Sequence, residues 1–361
     1  MAEQLKNIYT QNYILCLANE IKKQYTSFQT QNFIDSIFDS TWNSLELKAR
    51  MRHIALKLNE FLPLDYKKQL EILKPVSKDF FSYESMFFQD FVEVFGLHDF
   101  NNSMKALEIF TIDSSSEFAI RQFILKYEDK TLEKMKLWAK SENEHLRRLA
   151  SEGCRPRLPW AIALIKYKKD PSKVLEILEL LKNDKSLYVR KSVANNLNDI
   201  SKDNPYLVIE FVKKNLGITK ELDWICKHGS RTLLKKGIKE ILELFDYGKV
   251  EHIKVSNFIV DENIKMGENL NFTFDLESNK ALGKLRVEYI IEYLKANGSY
   301  SKKIFMIAQN EINENIKSFR KKQSFKNMTT RKHYKGKHFI AIILNGQELV
   351  KKGFIVYDAS N

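Results

Sequence analysis

All six prolines of this 361-residue chain fall at or before Pro205, and ten of its twelve glycines fall at or after Gly217. Long helices exclude glycine from their interiors, whereas short strands joined by tight turns call for it. The chain therefore reads as two architectures in series, changing near Asp246-Tyr247-Gly248. Before that point the apolar spacing is helical: Ile72, Val76 and Phe80 recur at four-residue steps, and KVLEILELL and YLVIEFVKK fit the same template. Asp170-Pro171-Ser172 and Asp203-Asn204-Pro205 precede the last two as helix starts, with proline in a first-turn position.

The helical part also repeats. ENEHLRRLASEG sets Arg147 in the same local pattern as Arg190 in KSLYVRKSVANN, 43 residues later, and LDWICKHGSRTLLKKG puts Arg231 another 41 residues on. A period of about 40 residues, with a helix pair per unit, is the mark of HEAT-like solenoids. Matching positions on successive inner helices would line one concave face with positive charge. The expected fold is thus an all-α HEAT-like repeat solenoid over residues 1–247, followed by a second, all-β domain.

After Gly248 the segments NLNFTFDL, LRVEYIIEYL, SKKIFMIA, HFIAIIL and GFIVY alternate, and Met266-Gly267-Glu268, Ala296-Asn297-Gly298-Ser299 and Asn345-Gly346 punctuate them. Roughly seven strands over residues 248–361 predict an immunoglobulin-like β-sandwich without a disulfide. The chain carries a net charge of +13, and eight of those charges lie after Gly248. From Lys317 to Lys337 there are nine basic residues and no acid, among them Lys321, Lys322, Arg331 and Lys332, with Phe319, Phe325 and Tyr334 interleaved. Such a block reads as a phosphate-binding edge or loop, or else as a charged edge strand that resists aggregation.

Several chemistries are disfavoured. The seven histidines are scattered without an HExxH, and Cys16, Cys154 and Cys226 form no CxxC, so no metal site or disulfide framework is expected. There is no GxGxxG, GxxxxGK[ST] or GxSxG, which leaves nucleotide cofactors without support and points to side-chain chemistry alone. No apolar run is long enough to span a bilayer, and the amphipathic N-terminus is unlike a signal peptide. A cytoplasmic, nucleoid-associated monomer is the expectation.

Three positions stand out, each with an ordinary reading beside it. Glu117 in IDSSSEFAIRQF fits a capping box with Ser114 as N-cap. Trp160 in RPRLPWA fits a core tryptophan just inside a helix, and Asp199 in VANNLND fits a helix-end structural aspartate. Yet RRLASEGCRPRLPWA, YVRKSVANNLNDISKDNP and WICKHGSRTLLKKG resemble the signature segments of the bacterial DNA alkylation-repair glycosylases built from HEAT-like repeats. The resemblance is to the AlkC branch, similar to AlkD but with a C-terminal immunoglobulin-like domain. It is strongest over residues 110–240.

The resemblance implies a catalytic pocket of Glu117, Trp160 and Asp199. It implies a DNA channel lined by Arg148 (or its neighbour Arg147), Arg190 and Arg231, which Arg155 and Arg157 join. The implied activity is monofunctional hydrolysis of the N-glycosidic bond of small cationic bases, 3-methyladenine and 3-methylcytosine, in double-stranded DNA. It needs no cofactor and no full base flipping. The competing reading is a non-catalytic HEAT-repeat protein that binds bent or branched DNA.

Overall fold

The computed structural model describes residues 5–328 and 331–358. Its helices are Gln11–Gln24 (α1), Thr30–Ile37 (α2), Leu47–Phe61 (α3), Tyr66–Val76 (α4), Phe87–Phe95 (α5), Phe100–Asp113 (α6), Ile120–Lys126 (α7) and Glu128–Trp138 (α8). They continue as Glu144–Glu152 (α9), Ile165–Lys169 (α10), Ser172–Leu181 (α11), Leu187–Ile200 (α12), Pro205–Asn215 (α13), Lys220–Gly229 (α14), Arg231–Lys235 (α15) and Lys239–Leu244 (α16). The expected starts at Ser172 and Pro205 are where α11 and α13 begin, and Asp170 Oδ1 accepts the Ser172 amide at 3.0 Å.

Packing divides the chain into two compact units, one of residues up to Val208 with Asn215–Gly229, the other of Ile209–Lys214 with residues from Ser230 onward. Helices give way to strands after Leu244, but α15 and α16 group with the strands. The division by packing therefore comes earlier in the chain than the change of composition.

In the first unit α9, α12 and α14 pack side by side in that order. Each begins one residue after a polar N-cap position: Asn143, Ser186 and Thr219. Asn143 accepts the His145 amide at 2.8 Å and Thr219 accepts the Leu222 amide at 3.2 Å, as N-caps do. Arg147 Nη1 donates to the carbonyls of Ser141 and Glu142 at 2.9 and 2.8 Å. Arg190 Nη1 donates to those of Asp184 and Lys185, each at 2.9 Å. Both arginines thus staple the loop five and six residues upstream, and the 43-residue repeat is real at the level of hydrogen bonds.

The third copy needs correction. Counting from the N-caps, the residue of α14 that corresponds to Arg190 is Asp223, whereas Arg231 lies past the end of α14. The connection between α12 and α14 is shorter than that between α9 and α12, so a fixed sequence spacing overshoots.

The second unit holds eight strands among the described residues: Lys254–Val260 (β1), Asn263–Lys265 (β2), Asn269–Glu277 (β3), Gly283–Leu294 (β4), Tyr300–Ile312 (β5), Ile316–Ser324 (β6), Gly336–Leu344 (β7) and Gln347–Tyr357 (β8). They form a three-stranded sheet, β1-β3-β6, and a five-stranded sheet, β2-β8-β7-β4-β5. Three strands escape the alternation rule: β2 has three residues, β6 is polar on both faces, and β1 is broken by a register shift between Ser256 and Ile259.

Alternate residues of β3 (Leu270, Phe272, Phe274, Leu276) and of β4 (Leu285, Val287, Tyr289, Ile291, Tyr293) build one core with Ile340, Ile342 and Leu344. The second face of β4 is buried too. Arg286 pairs there with Glu288 at 2.6 Å, and Ile290 packs with Ala341 and Ile343. Asn345-Gly346 turns β7 into β8 with φ of 46° and 81°, as a two-residue hairpin requires. A Cβ on Gly346 would lie 2.7 Å from the Cα of Gly237, so that close backbone approach also demands glycine.

Candidate nucleic-acid repair site

Helix α12 carries Ser192, Asn196 and Asp199 at i, i+4 and i+7, one polar stripe on a helix whose other buried residues are apolar apart from Asn198. The end of α9 and the loop after it meet that stripe. Ser192 Oγ donates to Glu152 Oε2 at 2.6 Å, and Asn196 Nδ2 donates to the Ser151 carbonyl at 2.8 Å. Arg155 Nε donates to Asp199 Oδ2 at 2.9 Å, while its Nη1 reaches Glu152 Oε1 at 2.5 Å.

The ionic contacts continue outward in both directions. Arg148 Nη2 lies 3.6 Å from Glu152 Oε1, and Arg148 Nη1 lies 2.6 Å from Glu117 Oε2. Ser115 Oγ accepts from Arg148 at 2.8 Å and donates to Glu117 Oε2 at 2.8 Å. At the other end Lys202 Nζ donates to Asp199 Oδ1 at 2.9 Å. Signs alternate along the whole row: Glu117, Arg148, Glu152, Arg155, Asp199, Lys202. Three carboxylates are interleaved with two guanidiniums and one ammonium.

Removing so many charges from water is costly, and pairing is what makes it tolerable. Burial opposes the charge on Arg155, but Glu152 and Asp199 outweigh it and hold that guanidinium above its ordinary value. Arg148 follows the same pattern: burial opposes, and Glu117 and Glu152 prevail. Its guanidinium also lies 5.1 Å from the ring centre of Tyr188.

Trp160 sits in a turn, not just inside a helix, and is 71% exposed. Pro159 precedes it, its own φ is 63°, and the Ala161 amide donates to the Leu158 carbonyl at 3.3 Å. This is a type II turn with a tryptophan where glycine is the usual residue. A large side chain in that conformation costs about 1–3 kcal/mol, and an exposed indole returns little of it through burial.

Arg121 fastens the loop that carries this turn. Fully buried, it donates to the carbonyls of Gly153 at 3.0 Å, Arg155 at 2.9 Å and Ile162 at 2.9 and 2.5 Å. Burial pulls its guanidinium down to about 10, which still leaves it protonated at neutral pH. The Leu164 amide closes the base of the loop on the Pro156 carbonyl at 3.1 Å. From α3, Lys48 Nζ donates to the Trp160 carbonyl at 2.7 Å and stands 4.2 Å over the ring of Phe118, the neighbour of Glu117. The Arg148–Glu152–Arg155 row thus joins Glu117 to Asp199, and Lys48 joins the Trp160 carbonyl to the ring next to Glu117 in the chain.

Other expected residues fall elsewhere. Ser114 does not cap a helix through Glu117; it ends α6 and donates to the Ser82 carbonyl at 2.7 Å, while Glu117 lies in the turn before α7. The carboxylate is turned instead toward Arg148, which outcompetes a cap. Arg157 lies beside the row, with Nε and Nη2 on Asp203 at 2.9 and 2.7 Å. Arg190 has Nη1 committed to its loop, and Arg231 lies in the second unit at the start of α15.

The basic block also belongs to the second unit. Lys321 and Lys322 are exposed on β6, an edge strand, and Arg331 stacks 5.2 Å from the Tyr293 ring with Lys332 next to it. Two neighbours of the block, Thr329 and Thr330, lie outside the described residues.

Sequence reasoning missed Arg121, Glu152, Lys202 and Lys48. Glu152 had a signal, since it stands four residues after Arg148 and three before Arg155. Lys202 had one too, three residues after Asp199, whereas Arg121 and Lys48 act on carbonyls across long sequence separations. Among the described residues no group of three or more His, Cys, Asp or Glu is arranged to hold a metal ion, and no helix is long and apolar enough to cross a membrane.

Comparison with known proteins places this geometry. Residues 105–241, which include the whole ionic row, match the family model of the DNA alkylation repair enzymes. Residues 254–358 match the C-terminal immunoglobulin-like domain of the YhaZ type. An uncharacterised protein YhaZ of Bacillus subtilis is 44% identical over 345 residues, 95% of this chain and 96% of its own length. The solved structure of the alkylpurine DNA glycosylase AlkC of Pseudomonas fluorescens, bound to DNA containing an abasic-site analogue, superposes with a TM-score of 0.94. That protein is 36% identical, and the match covers 98% of this chain and 100% of the other.

The chain belongs to the DNA alkylation repair enzyme family. Within that family it has the two-part layout, helical repeats followed by an immunoglobulin-like sandwich. The family match and the buried row coincide: all six charged residues from Glu117 to Lys202 fall inside the matched segment.

Proposed function

We propose that this protein is a monofunctional DNA glycosylase that hydrolyses the N-glycosidic bond of small cationic alkylated bases such as 3-methyladenine and 3-methylcytosine. Glu117, Trp160 and Asp199 are the residues that act on the nucleotide. The observation that carries the reading is the exposed Trp160, held at positive φ on a loop fastened to the same arginine-and-carboxylate row that buries Asp199. A structural tryptophan would be inside; an indole kept outside at a conformational cost is there to meet a ligand.

The chemistry follows from charge. An N3-alkylated base is already cationic, so it departs with the bonding electron pair as a neutral molecule and needs no strong acid. Positive charge then develops on the deoxyribose. Carboxylates in a poorly hydrated site stabilise that charge more than water would, and one of them orients the water that adds to the sugar carbon and takes up its proton. The indole face favours a cation by about 0.5–2 kcal/mol. The products are the free base and an abasic site, and the solved relative's complex with an abasic-site analogue supports the same end state. Double-stranded DNA is the partner, gripped without full base flipping. Arg157, Arg190 and Arg231, with Lys321, Lys322, Arg331 and Lys332, supply positive charge to the phosphates, while Arg148 and Arg155, expected in the same channel, stay paired with the carboxylates of the row.

The test is release of 3-methyladenine from methylated duplex DNA under single-turnover conditions. Glu117→Gln and Asp199→Asn are each expected to slow release by about 10²–10³-fold. Trp160→Ala should slow it by about 2–30-fold. DNA retardation without any base release by the wild type would leave only the binding-protein reading.

A further inference from the structure

Lys202 is the most exposed cation of the row and the one paired with a single carboxylate. Arg155 is fixed at two carboxylates with its side chain 9% exposed, and Arg148 is fixed between Glu117, Ser115 and Glu152. Lys202 reaches Asp199 from the turn that ends α12 and leaves 38% of its side chain in solvent, against 3% for Asp199. Without it, three carboxylates face two guanidiniums, and the row has an excess of one negative charge at Asp199 Oδ1.

We infer that Lys202 is a resident counter-ion of Asp199 that a positively charged nucleotide must displace, which makes it a specificity-determining residue. The inference rests on the proposed glycosylase reading and extends it to discrimination. A cationic lesion, or the cationic sugar that follows it, exchanges one positive partner of Asp199 for another, and the buried carboxylate is never left short of charge. A neutral nucleotide offers no such exchange. It stays clear of Asp199 and leaves the Lys202 pair intact, so Lys202 competes with cationic ligands alone and sets how far they are preferred. The flexible four-carbon stem of Lys202 lets the ammonium swing clear without moving the helix.

The experiment measures the affinity of the full chain for two duplexes. One carries a cyclic-amine sugar that is protonated at neutral pH; the other carries a neutral tetrahydrofuran abasic sugar. Wild-type protein should favour the cationic duplex. In Lys202→Met the ratio of cationic to neutral affinity should rise by about tenfold, the effect of one unmet close charge pair. Lys202→Arg, which keeps a cation, should stay within about twofold of the wild-type ratio. Adding Asp199→Asn to Lys202→Met should abolish the rise, and that double variant separates the charge effect from any change of folding.

A ratio that is unchanged or lower in Lys202→Met overturns the inference, since a lysine gripping phosphate or merely bracing α12 gives that result. A wild type that shows no preference and releases no methylated base overturns the functional reading, and this inference with it.

Discussion

Asp199 and His333 are almost equally buried, at 2% and 4% exposure, yet their surroundings differ in kind. Asp199 lies between two cations, Arg155 and Lys202. His333 lies in the β unit among the rings of Tyr293 and Phe325, and its Nδ1 has no hydrogen-bond partner. Burial first, then Arg331 and His338, pull its pKa down to about 4, so the ring is neutral. Along the row the helical unit buries ionisable groups by pairing charges, and around His333 the β unit does so by suppressing one. The β unit also pairs charges on β4, Arg286 with Glu288 and Glu292 with Lys302 and Lys351. A site that must receive a transient cation suits the first strategy, because an ordered set of charges can exchange one partner.

The largest effect that would break this contrast comes from the middle of the row. Arg155→Met leaves Asp199 and Glu152 facing each other's charge in a buried place. The cost expected is about 3–5 kcal/mol, read as a drop of about 10 °C or more in the melting temperature. A drop of a degree or two would mean that water already reaches the row and that the pairing is ornamental.

Charge reversal at Lys321 and Lys322 addresses the other unit. Both are exposed, so folding should be untouched while DNA affinity falls. The slope of log affinity against log salt should become shallower by about 0.9 for each phosphate that the protein no longer neutralises. An unchanged slope would return β6 to the role of a charged edge that resists aggregation.

The smallest effect concerns His333. A ring whose folded pKa lies below its unfolded value contributes stability above the unfolded value, about 6.5, and loses it as pH falls toward about 4. His338, also lowered by burial, acts in the same direction. Denaturant midpoints of His333→Phe should fall less than those of the wild type across that range. Parallel curves would show that the ring accepts a proton without penalty.

The division into helical and sandwich halves was legible because glycine and proline report backbone geometry directly. Hairpins at Asn297-Gly298 and Asn345-Gly346 were legible for the same reason, and β4-β5 and β7-β8 are joined there. The 43-residue step from Arg147 to Arg190 was legible as pattern but not as purpose. Nothing in the letters says that each arginine turns back onto its own loop. Arg231 was misplaced because repeats are defined by packing, and a shortened connection shifts the register without altering the local motif. The polar stripe Ser192-Asn196-Asp199 was written in the sequence at helical spacing. Arg121 was not, since a clamp on carbonyls has no composition of its own.

The bend at Trp160 leaves a mark on how this chain can change. A glycine there would relax the backbone and make the molecule sturdier, and it would also delete the ring offered to the ligand. Pressure toward robustness and pressure toward repair therefore pull on one codon in opposite directions.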